Sequence, residues 1–338
     1  MINIDGAKGG GQMLRTALSL SAITGRGFSM ENIRGSRSSP GLKNQHLEAV
    51  RSVARLCDAE VEGDEEGSRE LVFEPGELEV ESFTANIGTA GSITLLFDTV
   101  LPVATQFASD FRFDAKGGTD VKWSPTLAYF SRVKLPLLSQ SGLKAGVDPV
   151  KTGFYPAGGG EAVLETREFS MQPIELKERG ELERFEIYSK ASRELEDRDV
   201  AERQADEAAR MLKNSHVSAT VEKDVGYEKT ASPGSSLMVK AVYEESIAGF
   251  DALGERGKRS EEVAKDAVQE FKSFHATGAA VDPYMADQLI VFLAIVGGRI
   301  SIPEVTGHVQ TNLGVVEKFG KGVELDDSSG RIFLRSGT

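Results

Sequence analysis

The chain has 338 residues, of which 40% are hydrophobic and 27% charged, with a formal net charge of −13. That length fits one large domain or two to three smaller ones, and the composition is that of a folded globular protein. The acidic balance argues against broad electrostatic coating of nucleic acid. The most continuous apolar run, residues 289–296, is far shorter than the roughly 20 residues of a membrane span. The lone Cys57 excludes an internal disulfide or a thiolate zinc cluster. Asp5 and the early glycines interrupt any signal-peptide layout, so the expected compartment is the reducing cytoplasm.

The charge is unevenly spread. Residues 1–57 hold eight basic and three acidic side chains, a local +5, which leaves −18 on the remainder. One basic zone on an acidic body suits gripping a few phosphates, and the acidic body suits a high-salt cytoplasm.

In chain order, "GGQMLRTALSLSAITG" (10–25) is an apolar helix pattern entered through glycine, and "AGSITLLFDTVLPVAT" (90–105) repeats it 80 residues later. Each is followed by a second helix pattern just past a proline, "HLEAVRSVARL" after Pro40 and "YFSRVKLPLLSQ" after Pro125. A third copy is expected to open at "GFYPAGGGEAVLE" (153–165), to resume at "YMADQLIVFLAIVGG" (284–298) and to close with "TNLGVVEKFGKG" (311–322). Residues 182–274 break the rhythm with their own strand and helix patterns, and read as a domain inserted into the third repeat. The expectation is α+β, with 1–181 and 275–338 as one large domain of three repeated units.

Nucleotide signatures are sparse. No G-x-x-x-x-G-K-[ST] string is present, and no G-x-G-x-x-G follows a strand pattern. The glycines of "GAKGGGQMLRT" (6–16) either offer backbone N–H groups to a phosphate at a helix start or make a tight turn. Of the four histidines, His216 and His275 fall in or beside the insertion and read as structural. His46, near Arg34, Arg37 and Lys43, starts a helix pattern; His308 precedes the last one. A helix N-terminus disfavours imidazolium, and neutral imidazole is what attack on phosphorus requires. A capping role is the plainer alternative for either. Arg15, Arg34 and Arg37 read as phosphate clamps or as surface ion pairs. Asp287, in the otherwise apolar "MADQLIVFLAIV", must be paired, at the helix start, or bound to a ligand.

Together the strings "DGAKGGGQMLRTALSLSAITG", "IRGSRSSPGLKNQHLEAV", "IGTAGSITLLFDTVLP", "GGTDVKWSP", "GFYPAGGGE", "DPYMADQL" and "GHVQTNLGVVEKF" resemble the RNA 3′-terminal phosphate cyclases, from residue 5 to residue 319. The resemblance implies three α+β repeats similar to the C-terminal domain of a bacterial translation initiation factor, plus a smaller inserted domain. It implies ATP-dependent conversion of an RNA 3′-phosphate to a 2′,3′-cyclic phosphate, with a divalent metal, Mg or Mn, and no membrane partner. His308 then matches the nucleophile that becomes histidine–AMP. Arg15, Arg34, Arg37, Gln45 and His46 match positions lining the nucleotide and RNA-phosphate sites. Tyr284 and Asp287 match positions beside the adenylylated histidine, and Pro125 flanks the adenosine pocket. Two departures stand out. The glycine loop lacks the acid many members carry there, which leaves Asp5 or Asp287 as the metal candidates. Asp98 stands where bacterial members often have glutamine. Non-catalytic cyclase-like binding proteins and enolpyruvyl transferases are the rival classes; retention of "GHVQTN" favours the cyclase.

Overall fold

The computed structural model describes residues 1–107, 109–214, 219–328 and 330–337. Among them the backbone forms sixteen strands in four four-stranded sheets.

The first sheet contains β1 (Ile2–Asp5), β2 (Phe28–Glu31), β3 (Glu60–Glu62) and β4 (Leu71–Glu74), in the order β1-β2-β4-β3. β1 and β2 are parallel; β4 runs antiparallel to both β2 and β3. Between the parallel strands lies α1 (Gly11–Thr24), and α2 (Asn44–Leu56) connects β2 to β3. The second sheet holds β5 (Phe83–Asn86), β6 (Phe111–Gly117), β7 (Ala145–Lys151) and β8 (Gly160–Thr166), with the same order and directions. Its helices are α3 (Ile93–Ala104), then α4 (Leu127–Tyr129), a π turn Phe130–Lys134 and α5 (Leu135–Ser139). A third sheet follows the same wiring with β9 (Ile174–Leu176), β14 (Gly298–Ile302), β15 (Glu324–Asp326) and β16 (Ile332–Ser336). Before β14 come α8 (Pro283–Gln288) and α9 (Ile290–Val296); α10 (Gly307–Lys318) follows it. Residues 160–166, expected to open the third copy, instead close the second sheet as β8. The strand that starts the third sheet is three residues long, too short to carry a period.

The fourth sheet differs. It joins β10 (Leu182–Ser192), β11 (Thr220–Glu228), β12 (Ser235–Tyr243) and β13 (Ile247–Leu253) in the order β11-β10-β12-β13, and α6 (Val200–Lys213) and α7 (Ser260–His275) cover it. It has its own apolar cluster, from Phe185 on β10 to Phe271 and Phe274 on α7. His275 is structural: its Nδ1 lies 2.9 Å from the Tyr243 hydroxyl. His216 lies outside the described residues.

α1 is apolar on nearly every side because it packs against α2, α3 and α10 at once. Gly10 admits it without a capping side chain, and Gly25, at φ +66°, ends it in the left-handed conformation that glycine adopts freely.

Where the fourth sheet meets the second, Asp251 of β13 is half-buried, and its Oδ2 accepts from the Thr126 N–H at 2.7 Å. Burial pushes this carboxyl up to about 7, with Asp120 and Glu270 adding to the rise and the Thr126 bonds opposing it. An unfolded aspartate titrates near 4 (~3.9). The folded chain therefore holds a proton that the unfolded chain releases, and this contribution to stability is full below about pH 4 and lost as pH rises through about 7. Asp251→Asn lacks that slope. Urea unfolding should show the variant gaining on the parent protein between pH 4 and 8; a pH-independent difference would refute the assignment.

Candidate active site

Three helices from distant parts of the chain converge on one hollow. Gln12 Nε2 on α1 donates to Thr311 Oγ1 on α10 at 3.2 Å, and Thr16 Oγ1 donates to Asn312 Oδ1 at 3.1 Å. Asn312 Nδ2 in turn donates to the backbone carbonyl of Asp287 on α8 at 3.4 Å. The Thr-Asn pair of "GHVQTN" thus ties α10 to α1 and α8. One turn earlier on α10, His308 stands at the second position of the helix behind the Thr306 cap, whose Oγ1 accepts from the Val309 N–H. Its imidazole is 55% exposed, and Nδ1 faces Asp287 Oδ2 across 3.6 Å, just beyond hydrogen-bond range.

The hollow beside this pair measures about 40 Å³ and is lined by Gln12, Arg15, Asp98, Lys134, Asp287 and Asn312. Lys134, 1% exposed, forms a direct ion pair with Asp98, and its ammonium lies 5.5 Å from the rings of both Phe130 and Phe292. Arg15 lines the same hollow. Burial lowers its guanidinium from the ordinary value, and the carboxylates of Asp98 and Asp287 oppose that loss. Charges therefore alternate through the hollow: Lys134, Asp98, Arg15, Asp287. No protein acceptor takes a hydrogen bond from the Arg15 guanidinium among the described residues, so its donors remain for a ligand.

A second cleft, about 360 Å³, is lined by Arg34, Lys43, Gln45, His46, Thr89 and Gly91, among others. His46 is buried at the start of α2, where its Nδ1 accepts from the Lys43 N–H at 3.1 Å. That bond assigns the proton to Nε2. Burial first, then Arg15, Arg34 and Lys43, lower the imidazole to about 3, so it is a neutral donor at any physiological pH. Arg34 adopts φ +55° and spends Nη1 on its own loop, donating to the carbonyls of Ser39 at 3.0 Å and Gly41 at 2.8 Å. Gln45 Oε1 accepts from the N–H of Ser92, the cap of α3, at 3.1 Å.

The glycine loop joins the two cavities. A Cβ on Gly11 would come 2.6 Å from His46 Nε2 and 3.1 Å from an Arg15 Nη1; one on Gly10 would come 3.1 Å from an Arg37 Nη2. The bare backbone of Gly11 thus leaves room for the buried His46 ring to approach the start of α1.

Not every expected residue reaches these cavities. Tyr284 lines neither; its hydroxyl donates to Glu270 Oε1 on α7 at 3.0 Å, and burial together with Glu270 raises its pKa. Pro125 contributes its carbonyl, which accepts from Thr94 Oγ1 at 2.7 Å. Asp98 lines the hollow and has its Oδ1 engaged by Lys134. Asp5 is committed to its own turn, accepting from the Ala7 N–H and from Asn32. Lys134 is a site residue that no motif marks; its one sequence signal is a lysine within the largely apolar "SRVKLPLL".

A family model described as RNA 3′-terminal phosphate cyclase matches residues 7–324. This chain belongs to the RNA 3′-terminal phosphate cyclase family. Curated relatives bearing that same name include proteins of Halobacterium salinarum, 40% identical with 96% of each chain covered, and of Saccharolobus solfataricus, 42% identical with 94% of each covered. A third, from Pyrococcus abyssi, is 43% identical and covers 98% of this chain and 97% of its own. Membership accords with the mixed α/β architecture, and no helix among the described residues is long and apolar enough to cross a membrane.

Among the described residues no three His, Cys, Asp or Glu side chains converge as a metal cage. The donors on offer are one available carboxylate, Asp287, and the adjacent imidazole. This set fits Mg²⁺ or Mn²⁺ only as an ion carried largely by phosphates and water, which is how Mg²⁺ is usually held.

Proposed function

We propose that this protein cyclises RNA 3′-phosphate ends at the expense of ATP, through a covalent adenylate on His308. The observation that carries this reading is the exposed His308 imidazole, its Nδ1 turned to Asp287, a residue that also lines the hollow of Arg15; among the described residues His308 Nε2 has no hydrogen-bond partner and the Arg15 guanidinium no acceptor. With Nδ1–H facing the carboxylate, the Nε2 lone pair is the nucleophile.

In the first step Nε2 attacks the ATP α-phosphorus; an N–P bond forms and the bond to pyrophosphate breaks. Arg15 would stabilise the charge on the transferring phosphoryl group. An oxygen of the RNA 3′-phosphate then displaces the imidazole and takes the AMP. Finally the vicinal 2′-hydroxyl attacks the 3′-phosphorus, losing its proton as AMP departs. The ribose itself holds that hydroxyl in place, so positioning supplies much of the rate. Arg34, Arg37, Gln45 and the neutral His46 Nε2–H supply donors for the RNA phosphate. A divalent ion held at Asp287 would supply charge neutralisation of the leaving pyrophosphate. The three sheets of common wiring support reading the large domain as three repeats of the initiation-factor type, with residues 182–274 as the insertion.

The direct test is incubation with ATP labelled at the α-phosphate. Acid-labile label on the protein, absent from His308→Ala and absent with γ-labelled ATP, is expected. No label with Mg²⁺ or Mn²⁺ would overturn the enzyme reading in favour of a non-catalytic binding protein.

A second expectation concerns Gly11. Alanine there suits the first turn of a helix but drives a methyl into His46 Nε2 and Arg15. Gly11→Ala should displace the buried His46 ring, lower Tm modestly and cost about 10²-fold in kcat/KM, the scale of a 1 Å misplacement. Full activity would show that the two side chains do not act from the positions described.

A further inference from the structure

Trp123 is the only tryptophan of the chain, and it is 93% exposed at φ +62°, a left-handed conformation unusual for a bulky residue. Tyr155 is 72% exposed on a neighbouring loop. A scattered exposed aromatic needs no explanation; these two share one place. The backbone bridge between Asp120 and Phe154 joins their loops, three residues from Trp123 and one from Tyr155.

Both loops are pressed against the rim of the phosphate cleft. A Cβ on Gly118 would lie 2.7 Å from the Ala90 carbonyl oxygen, one on Gly158 would lie 2.8 Å from Ala90 Cα, and one on Gly117 would lie 2.6 Å from the Gly91 carbonyl oxygen. Ala90 is flanked by Thr89 and Gly91, the two residues that line the cleft opposite Arg34, Lys43 and His46. A hydrogen-bonded chain continues the connection, from Gln45 to the Ser92 N–H and from Ser92 through Thr94 to the Pro125 carbonyl. The cationic cleft and the solvent-facing aromatic side chains thus belong to one continuous edge.

Phosphate-binding cations bordered by unpacked aromatic faces are the two components of a single-strand nucleic-acid surface: one follows the backbone, the other stacks on bases without regard to sequence. We propose that Trp123 and Tyr155 form a stacking rim for the nucleotides upstream of the RNA 3′ end. The proposal rests on the cyclase reading and adds to it a contact with the strand beyond the terminal phosphate. It also accounts for RNA binding by so acidic a chain: stacking supplies what a long basic groove would otherwise provide.

Because Trp123 is unique, its fluorescence reports the contact directly. Titration with a single-stranded RNA octamer carrying a 3′-phosphate should quench emission saturably. Trp123→Ala and Tyr155→Ala should each raise the KM for the octamer by about 5- to 150-fold, as expected for loss of one stacked base. The parent protein's preference for the octamer over a dinucleotide 3′-phosphate should shrink towards one in both variants. Since the indole is almost wholly exposed, its removal leaves no cavity to confuse the result. Absence of quenching by RNA, unchanged KM in both variants, or equal quenching by ATP alone would overturn the proposal. A protein that labels His308 and cyclises RNA without quenching loses the rim and keeps the enzyme; one that quenches with RNA without labelling keeps the rim and loses the cyclase reading.

Discussion

In His308→Ala, covalent AMP falls below detection and cyclisation of RNA 3′-phosphate drops by at least about 10⁴-fold, the scale of losing a covalent nucleophile. Stability should stay within about 0.5 kcal/mol, because the imidazole is 55% exposed and its nearest charged partner stands 3.6 Å away. The variant also separates the steps. RNA already carrying a 3′-terminal adenylate has no need of the histidine, so His308→Ala should still close the cyclic phosphate from that substrate. Product analysis on pre-adenylylated RNA checks this, and failure there would mean that His308 acts in the final step as well.

The largest effect on stability should come from Lys134. Its ammonium is almost fully enclosed, paired with Asp98 and flanked by the rings of Phe130 and Phe292. Lys134→Ala takes the direct partner from Asp98 in an enclosed pocket and leaves Arg15 as the nearby cation. Removing one partner of a buried pair typically costs 3–5 kcal/mol, so a loss of about 3 kcal/mol is expected. Lys134→Met with Asp98→Leu removes both charges, fills comparable volume and should unfold at a urea concentration much nearer the parent's. A double variant no more stable than Lys134→Ala would show that the loss comes from packing. The double variant also tests positioning: it takes away the Asp98 carboxylate that opposes desolvation of Arg15, so self-adenylylation should fall even though stability is restored.

How much of this was legible beforehand varies with the physics involved. The α1 and α3 patterns were readable because each is apolar on nearly every side, a consequence of central packing. The fourth sheet was readable as a break in rhythm, since α6 has a strongly one-sided apolar face that α1 lacks. The first strand of the third sheet was not. Ile174–Leu176 is defined by its pairing with β14, more than 120 residues later, and nothing local marks it. Within the site, His308, Asp287 and Arg15 could be nominated by residue type and motif. That Asp98 pairs with Lys134, that Arg34 spends a donor on its own loop, and that Tyr284 turns towards Glu270 are facts of tertiary contact. No spacing rule anticipates them.

The bonds from Gln12 and Thr16 to Thr311 and Asn312 also bear on biosynthesis. The partners are 299 and 296 residues apart, so the hollow has no second wall while the chain is still being made. At roughly 5–20 residues per second, the first helix waits about 15–60 s for the last. Through that interval α1 carries an apolar surface on the side that α10 will cover. The nascent chain must shield that surface before it has any activity, and synthesis of the α10 segment is what ends the exposure.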